Sequence, residues 1–486
     1  MKNRTLTEQT LSALAFAGDL SMGQPPEHSP VVSCLAARIA RHAGAPQQTI
    51  EHTAQLALIR WAGCTANARE FADLLGDDIR GRSELLAGRN PFVGADPPEG
   101  SIHDAIEPLA RAHCEIAAHL CRRLALPDAV ETAVSDLFET WDGSGLPAGK
   151  SGEDISEEAQ YVMLAGDAEV YSRTFGVTRA AVLIDGRAGK TYEASLTRSV
   201  ARALPGWIAE IDAGAPLEDA LQEAALSAEG PVTLDEAARV LGDFADLKIP
   251  GKAGEARAAY ALAMETAKEA KLSPERRSVV ALAASLAPLG GVAISNTRLS
   301  GWGDEMSEAM RLIPHWTMRI LSRLPDLTDA AELAYLAYER LDGSGLGQGL
   351  KASSLPREAR IVQAARAAVE AGGELNQNDT RRERTRVYLN EEVTSGRLDG
   401  PSVSAVLTAM GLRRRSIPDA DRISDLTARE AQVLSELAQG FSNKEIARRL
   451  DVSPKTVSTH LEKVFRKLDV QTRAGATLKA IERGLV

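Results

Sequence analysis

The stretch Ser442-Asn443-Lys444-Glu445-Ile446-Ala447-Arg448-Arg449-Leu450-Asp451-Val452-Ser453-Pro454-Lys455-Thr456-Val457 decides the fold at the C-terminal end of this 486-residue chain. Ser442 and Glu445 have the spacing of a capping box, which predicts a short helix that ends near Leu450. After a turn at Asp451-Val452, Ser453 can cap a further helix whose first position is Pro454, where a missing N–H is tolerated. The pattern predicts a helix-turn-helix at about residues 443–462.

The helix that begins at Pro454 is predicted to reach about Leu468 and to be amphipathic. Its apolar residues recur at steps of four, three and four, which is the spacing of a buried stripe: Val457, Leu461, Val464 and Leu468. The outward residues are small, polar or basic. A second capping box, Thr427 with Glu430, predicts a preceding helix that stops at Gly440. A tight turn followed by such a helix is suited to the major groove of DNA.

Residues 423–486 resemble the LuxR/GerE family of DNA-binding domains, through Leu426 to Glu430, Asn443 to Ala447 and Ser453 to Val457. The resemblance implies a four-helix domain whose third helix enters the major groove, and a homodimer on inverted half-sites of double-stranded DNA. The predicted DNA contacts are Asn443, Lys444, Lys455, Thr456, Ser458, Thr459, Glu462, Lys463, Thr472 and Arg473. Four of them are assigned to phosphates, which position a protein without reading sequence: Lys444, Lys455, Thr456 and Arg473. A small helical protein-interaction module is the alternative.

The charge distribution favours contact with nucleic acid through this end alone. Residues 422–486 contain 12 Lys and Arg against 8 Asp and Glu, a net charge of +4. The whole chain carries −11, so residues 1–421 carry −15. Phosphate should therefore repel the body of the protein and attract its C-terminal domain.

Length and composition place the chain among globular proteins of about two to four domains. No run of 18 apolar residues indicates a membrane span, and the N-terminus has no convincing export signal. The four cysteines (Cys34, Cys64, Cys114 and Cys121) lack CxxC spacing and are predicted to be reduced thiols of a cytoplasmic protein. No cofactor is predicted.

The body of the chain is an internal duplication. Asp142-Gly143-Ser144-Gly145-Leu146 recurs unchanged 200 positions later as Asp342-Gly343-Ser344-Gly345-Leu346, and Ala57 to Gly63 parallels Ala284 to Gly290 at an offset of 227. Both copies read as Ala/Leu-rich amphipathic helices, with aromatic residues at only 4% of the chain. The fold class predicted is all-α: two duplicated HD-like bundles at 1–227 and 228–411, a linker at 412–422, and the DNA-binding domain at 423–486.

The repeated segment resembles the HD-GYP branch of the HD phosphohydrolases, at Glu27-His28-Ser29, the Trp141 to Pro147 loop and Gly152 to Ile155. The resemblance implies a set of His and Asp ligands that holds two or three metals to cleave a cyclic dinucleotide. The first copy keeps His28, His113 and Asp167, but Arg60-Trp61 and Leu137-Phe138 replace two ligand pairs. The second copy has Glu255, Ala287-Pro288, Ile313, Ala337-Tyr338 and Arg366 at these positions. The substitutions predict no metal site, no catalytic residues and no enzyme activity.

Two interpretations of His28, Arg60, His113 and Asp167 remain open. They form a pocket for a small molecule, in which Arg60 suits an anion, or they are buried polar residues satisfied within the bundle. Cys64 and Cys114 could likewise be a thiol sensor or simply buried. The two Asp-Gly-Ser-Gly-Leu loops favour a structural role, in which glycine supplies positive φ, over a phosphate cradle.

The sequence as a whole predicts a cytoplasmic, dimeric transcriptional regulator that binds an inverted-repeat operator. Its repeats are expected to receive an unknown small-molecule or protein signal, with RNA polymerase as a further candidate partner and no role for a membrane. The alternatives are a protein-interaction scaffold and a residual metal-dependent cyclic-dinucleotide phosphodiesterase fused to a DNA-binding domain. The signal, the promoter, and the choice between activation and repression stay open.

Overall fold

The computed structural model describes residues 5–225, 232–249, 251–299, 304–372, 379–412 and 426–482. Helices account for the regular structure of these residues, which include two isolated β-bridges and no strand. The all-α prediction is confirmed. The chain divides into two compact units, residues 1–233 with 295–297 and residues 234–294 with 298–486. The predicted boundary at 227/228 and most of the predicted linker at 412–422 lie outside the described residues.

The first unit is a bundle of eleven described α-helices around an Ala- and Leu-rich core. The helices are α1 (Leu6–Ser21), α2 (His28–His42), α3 (Gln47–Ile59), α4 (Ala68–Leu75), α5 (Asp78–Leu86), α6 (Ile102–Arg123), α7 (Asp128–Val134), α8 (Glu157–Phe175), α9 (Val177–Asp185), α10 (Ala194–Asp212) and α11 (Pro216–Ala224). Helix α2 packs against both α3 and α8. This trio positions the polar residues discussed below.

The second repeat follows the same plan. Its helices are α12 (Leu234–Asp246), α13 (Glu255–Glu269), α14 (Pro274–Leu286), α15 (Asn296–Leu299), α16 (Asp304–Leu321), α17 (Thr328–Tyr335), α18 (Arg357–Glu370), α19 (Asp379–Thr394) and α20 (Gly400–Ala409). Helix α13 packs against α14 and α18, as α2 packs against α3 and α8. Among the described helices, none combines the length and the apolar character of a membrane span.

In each repeat, a buried aspartate on the preceding helix accepts a hydrogen bond from the first turn of the central helix, α2 or α13. The Asp19 carboxylate accepts from the backbone N–H of Ser29 at 2.9 Å, and Asp246 accepts from that of Ala256 at 2.8 Å. The two aspartates stand 227 positions apart, and so do the two residues that donate to them. Burial raises the pKa of both carboxyls. The same helix start in both copies is structural evidence for the duplication.

The repeated glycine-rich loops are clamped by a buried glutamate. Glu139 accepts from the backbone N–H of Ala148 at 2.7 Å and from that of Lys150 at 2.9 Å. Glu339 makes the equivalent bonds to Gln348 and Leu350. The first glycine of each loop has the predicted positive φ, 81° at Gly143 and 84° at Gly343. These contacts support the structural interpretation of the loops.

The C-terminal domain contains α21 (Ala428–Ala438), α22 (Asn443–Arg449), α23 (Pro454–Leu468) and α24 (Arg473–Glu482). Both predicted capping boxes form, Thr427 with Glu430 and Ser442 with Glu445. Ser453 caps α23 by accepting from the N–H of Thr456 at 3.0 Å. Gly440 follows α21 with φ of 86°, as a C-terminal stop requires.

Candidate functional site

Helix α23 divides into a buried stripe and an exposed face. Val457, Leu461, Val464 and Leu468 are all buried in the core of the domain. Lys455, Thr456, Thr459, Glu462 and Lys463 are exposed, and Ser458 is half-buried. Because the apolar side is fully used by the core, the polar side is available to a partner. The side chains of Lys455 and Lys463 have no described hydrogen bond or ion pair within the protein.

A chain of hydrogen bonds joins three of the helices behind this face. Asn443 donates its amide N–H to the Ser458 hydroxyl at 3.1 Å, and its oxygen accepts from Arg473 at 2.8 Å. Arg473 also donates to the carbonyl of Phe441 at 2.6 Å. Thr472 accepts from the N–H of Gly475 at 3.0 Å and so caps α24, while Lys444 is exposed on α22. Asn443 and Arg473, predicted as DNA contacts, therefore also hold the helices together.

The first unit contains a cavity of about 220 Å³ with mainly apolar walls. Its polar lining includes His28, Arg60 and Asp167, three of the four residues predicted for a pocket. The aromatic lining comes from Trp61, Phe138 and Tyr192. The packing of α2 and the end of α3 against α8 brings the three polar residues together, and the aromatic residues come from the segments that follow α3, follow α7 and precede α10.

Arg60 is at the centre of the polar cluster. Its Nη2 lies 2.5 Å from Nε2 of His28, whose Nδ1 lies 2.6 Å from a carboxylate oxygen of Glu169. Burial lowers the pKa of Arg60 to about 10, so the guanidinium stays protonated at neutral pH. Gly166 on α8 makes room for it, since a Cβ there would lie 2.6 Å from Nη1 of Arg60.

The carboxylates near Arg60 are bound to other groups. Asp167 is ion-paired with Arg187 and accepts from the Tyr192 hydroxyl at 2.6 Å. Although burial acts to raise it, His28 and Arg173 bring the pKa of Glu169 down to about 2. Among the described residues, no carboxylate lies within ion-pairing distance of the Arg60 guanidinium.

His113 does not line the cavity but supports it from behind. Its Nε2 lies 2.6 Å from the backbone carbonyl of Arg60, and its ring packs edge-on against Trp61 and Phe138. Burial lowers the pKa of His113 to about 4, so the imidazole is neutral and its Nε2–H can donate to the carbonyl. The structure thus assigns to His113 a positioning contact with the backbone of Arg60.

We expect the stability of the first unit to fall in mild acid because of His113. Below about pH 6.5 the unfolded chain binds a proton on this ring, whereas the folded chain resists it until about pH 4. Between pH 7 and 4.5 this difference removes about 2 to 3 kcal/mol of stability. Denaturant unfolding at both pH values should show a larger loss for the wild type than for His113→Phe. Equal losses would contradict a buried, neutral His113.

The second repeat also buries a guanidinium, but it comes from a different helix. Arg366 on α18 is 5% exposed. The offset of 200 between the glycine-rich loops aligns Arg366 with Gly166 of the first repeat, whereas the sequence analysis aligned it with Asp167, one position later. Its Nη2 lies 3.1 Å from Glu370 and 3.7 Å from Glu255. The guanidinium of the second repeat is therefore paired, unlike that of the first.

The residues at the implied metal positions do not fit a divalent cation. The guanidinium of Arg60 is bonded to His28 in the first repeat, and that of Arg366 lies beside Glu255 in the second. In each repeat a positively charged guanidinium therefore contacts, or lies beside, the side chain that would have to bind the metal. Within the described ranges there is no group of three or more His, Cys, Asp or Glu residues that could hold one.

Comparison with known families identifies both kinds of domain. Residues 424–480 match the model of the bacterial regulatory proteins of the luxR family. The C-terminal domain is a LuxR/GerE-type helix-turn-helix domain. Residues 239–399 match the model of the HD domain, within the second repeat. Both resemblances seen in the sequence are confirmed.

Two bacterial regulators match a short part of the chain. The nitrate/nitrite response regulator NarP of Escherichia coli is 45% identical over 74 residues, which cover 15% of this chain and 34% of NarP. The regulator MalT of Vibrio cholerae is 35% identical over 108 residues, 22% of this chain and 12% of MalT. The chain thus spans about a third or less of these relatives.

A much longer match links the chain to a phosphodiesterase. The 3'3'-cGAMP-specific phosphodiesterase 3 of V. cholerae is 24% identical over 399 residues, which cover 74% of this chain and 84% of that protein. A crystal structure of a cyclic GMP-AMP specific phosphodiesterase from V. cholerae superimposes with a TM-score of 0.56 at 19% identity, over 84% of this chain and 98% of the other. The likeness in structure shows a shared fold.

This match contradicts the prediction that the chain is not an enzyme. That prediction followed from the replacement of one set of metal ligands. Because the chain resembles a phosphodiesterase over 399 residues, the replaced ligands alone do not exclude enzyme activity. The substitutions describe the metal positions and do not decide activity.

Three residues around the predicted cluster escaped the sequence analysis, because no short motif contains them. The charges of His28 and Arg60 act on Asp19, Glu169 is paired with His28, and the Tyr192 hydroxyl donates to Asp167. The recurrence of Asp19 as Asp246, at the offset of 227, was the available signal. All four cysteines are buried, including Cys64 and Cys114, and burial raises the pKa of Cys114 to about 12, which opposes the thiol-sensor interpretation.

Proposed function

We propose that the protein is a transcriptional regulator that recognises a specific DNA sequence through α23. The observation that carries the proposal is the exposed face of this helix, where Lys455, Thr459, Glu462 and Lys463 stand outside a fully buried apolar stripe. Side chains of these types read base edges and bind phosphates. The LuxR-type domain supports this function, and the acidic remainder of the chain favours contact through this end alone.

The expected partners follow from this mode of binding. An inverted-repeat operator requires two domains at a fixed spacing, so the protein should act as a homodimer. As a DNA-binding regulator it should work in the bacterial cytoplasm, with RNA polymerase as a candidate partner. The helical repeats supply the input, because they make up most of the chain and the first encloses a cavity.

Genome-wide DNA pull-down with the intact protein tests the proposal. We expect enrichment of a small number of sites that share an inverted repeat about one or more helical turns in spacing. The genes beside these sites would indicate the input. Diffuse enrichment without a shared motif would contradict sequence-specific regulation and favour a protein-interaction scaffold.

A second candidate function is phosphodiesterase activity on a cyclic dinucleotide. It is favoured by the match to the V. cholerae enzyme, which extends over both repeats rather than over one motif. His28 and Asp167, which line the cavity of the first repeat, are the residues on which such activity would depend. The test is incubation with 3'3'-cGAMP followed by chromatographic detection of a linear product. Product formed by the wild type and not by His28→Ala would establish the activity. Absence of product at high protein concentration would remove this candidate.

A further inference from the structure

The two repeats treat their buried guanidinium differently. Arg366 is paired with Glu370 and lies near Glu255, so the second repeat neutralises its own charge. Arg60, which is 4% exposed, contacts His28 and lies over the Trp61 ring at 4.5 Å without a described carboxylate partner. Burying a charge is costly, and the cost is offset only where a partner contacts the charge directly with good geometry. Asp19, Glu169 and Asp167 act on the charge of Arg60 and raise its pKa, but none of them makes a described ion pair with the guanidinium. A direct contact between Arg60 and an anion is therefore still open in the first repeat.

Two buried N–H groups beside the cavity have no acceptor. Nε of Arg60 and the indole Nε1 of Trp61 lack any hydrogen-bond partner in the protein, and both residues line the cavity. Trp61 is 7% exposed, so bulk water does not satisfy it. Buried donors in native proteins are almost always paired. Two such donors on adjacent residues indicate an acceptor group that the polypeptide itself does not supply.

The size and walls of the cavity restrict what could supply that acceptor. Drug-sized ligands occupy pockets of roughly 300 to 1,000 Å³, and this cavity is about 220 Å³. Its apolar walls include Leu137, Val162 and Val170 beside the rings of Phe138 and Tyr192. An aromatic group fits such walls, and an oxyanion fits the donors.

We propose that the first repeat binds a small aromatic molecule with one oxyanion group, phosphate or carboxylate, at Arg60 and Trp61. We expect weaker anion binding in the second repeat: although Nε and Nη1 of Arg366 also lack an acceptor, Glu255 and Glu370 lie beside its Nη2 and would repel an anion. The inference concerns the cavity alone and holds whether or not the LuxR-type domain regulates transcription. It predicts one ligand for each chain.

Titration calorimetry on the full chain, without DNA, tests the proposal with three probes that share a phenyl ring. Phenyl phosphate and benzoate carry the two oxyanions, and neutral benzamide is their control. We expect at least one oxyanion to bind with a stoichiometry of one and at least tenfold more tightly than benzamide. The better of the two identifies the natural headgroup. Failure of both oxyanions to bind, or equal binding of benzamide, would overturn the proposal.

Matched variants locate the site. Arg60→Met should weaken oxyanion binding at least tenfold, because it removes the positive charge and the unpartnered Nε–H donor, and circular dichroism should show that the variant is folded. Gly166→Ala should weaken binding by displacing Nη1 of Arg60. Arg366→Met should keep the affinity but lower the midpoint, with Arg366→Lys as its substitute if the protein does not fold. Binding that persists in Arg60→Met, or that is lost in the folded Arg366 variant, would refute the assignment.

Discussion

Replacement of Lys455 and Lys463 together by alanine is expected to weaken binding to the preferred DNA site by about 10- to 100-fold. Both lysines are exposed on α23, and neither side chain has a described partner within the protein, so their loss removes contacts to DNA without breaking the domain. The slope of log affinity against log salt should become shallower by about one unit, since each phosphate contact contributes about 0.9 and Lys455 is the lysine of the pair assigned to a phosphate. Fluorescence anisotropy over a range of salt concentrations measures both effects.

The control variant for this experiment also removes two positive charges, but outside the DNA-binding domain. Lys190→Ala with Lys268→Ala changes two exposed lysines outside the LuxR-type domain and should leave affinity and salt slope unchanged. Alanine is a good helix former, so circular dichroism should show an intact α23 in the test variant. If the test variant binds as tightly as the control, α23 is not the DNA-reading helix, and the helical body becomes the part to study.

Gly145→Ala is expected to destabilise the first unit by about 3 kcal/mol. A Cβ at this position would collide with the backbone of Glu139 and Thr140, and backbone cannot swing aside as the end of a side chain can. Glu139 is held by its bonds to Ala148 and Lys150, so the whole loop would have to shift. The thermal midpoint of the first unit should fall by roughly 6 to 12 °C, as calorimetry can measure.

Gly206→Ala is the matched control for this substitution. Gly206 lies within α10, is exposed, and has no atom within 4 Å of a built Cβ. Alanine there should leave the midpoint unchanged or raise it, because it favours the helix by roughly 0.5 to 1 kcal/mol. A midpoint for Gly145→Ala equal to that of Gly206→Ala would show that the loop does not require the close approach described here.

The sequence was most informative where the determinants are local. Two capping boxes, a capped proline start and a 4-3-4 stripe lie within about 40 residues, and each corresponds to the structure at the level of single residues. Helix caps and amphipathic periodicity depend on neighbours three or four positions away. Such features can be read without knowledge of the tertiary fold.

The cavity could be predicted only in part, because its contacts join distant segments. Motif resemblance found His28, Arg60 and Asp167, which line it, but placed His113 there as well. Arg60 has no described ion-pair partner because Asp167 pairs with Arg187 and Glu169 pairs with His28. These contacts cannot be predicted from the spacing of residues in the sequence. The unpaired N–H of Trp61 likewise emerges only from packing.

The prediction on enzyme activity was wrong for a related reason. It compared one set of positions with one metal-dependent chemistry and treated the missing ligands as decisive. The match to a phosphodiesterase extends over 399 residues, most of which lie outside those positions. The substitutions concern only the implied metal positions, whereas enzyme activity depends on all residues of the site.

The hydrogen-bond chain from Arg473 through Asn443 to Ser458 has a thermodynamic consequence for DNA binding. It connects α22, α23 and α24 before any DNA is present, so the domain is already organised for docking. A preorganised surface loses little conformational entropy when it binds, in contrast to segments that fold on their target. The heat-capacity change of operator binding should therefore match the surface buried between rigid partners, without the larger negative value that coupled folding would add.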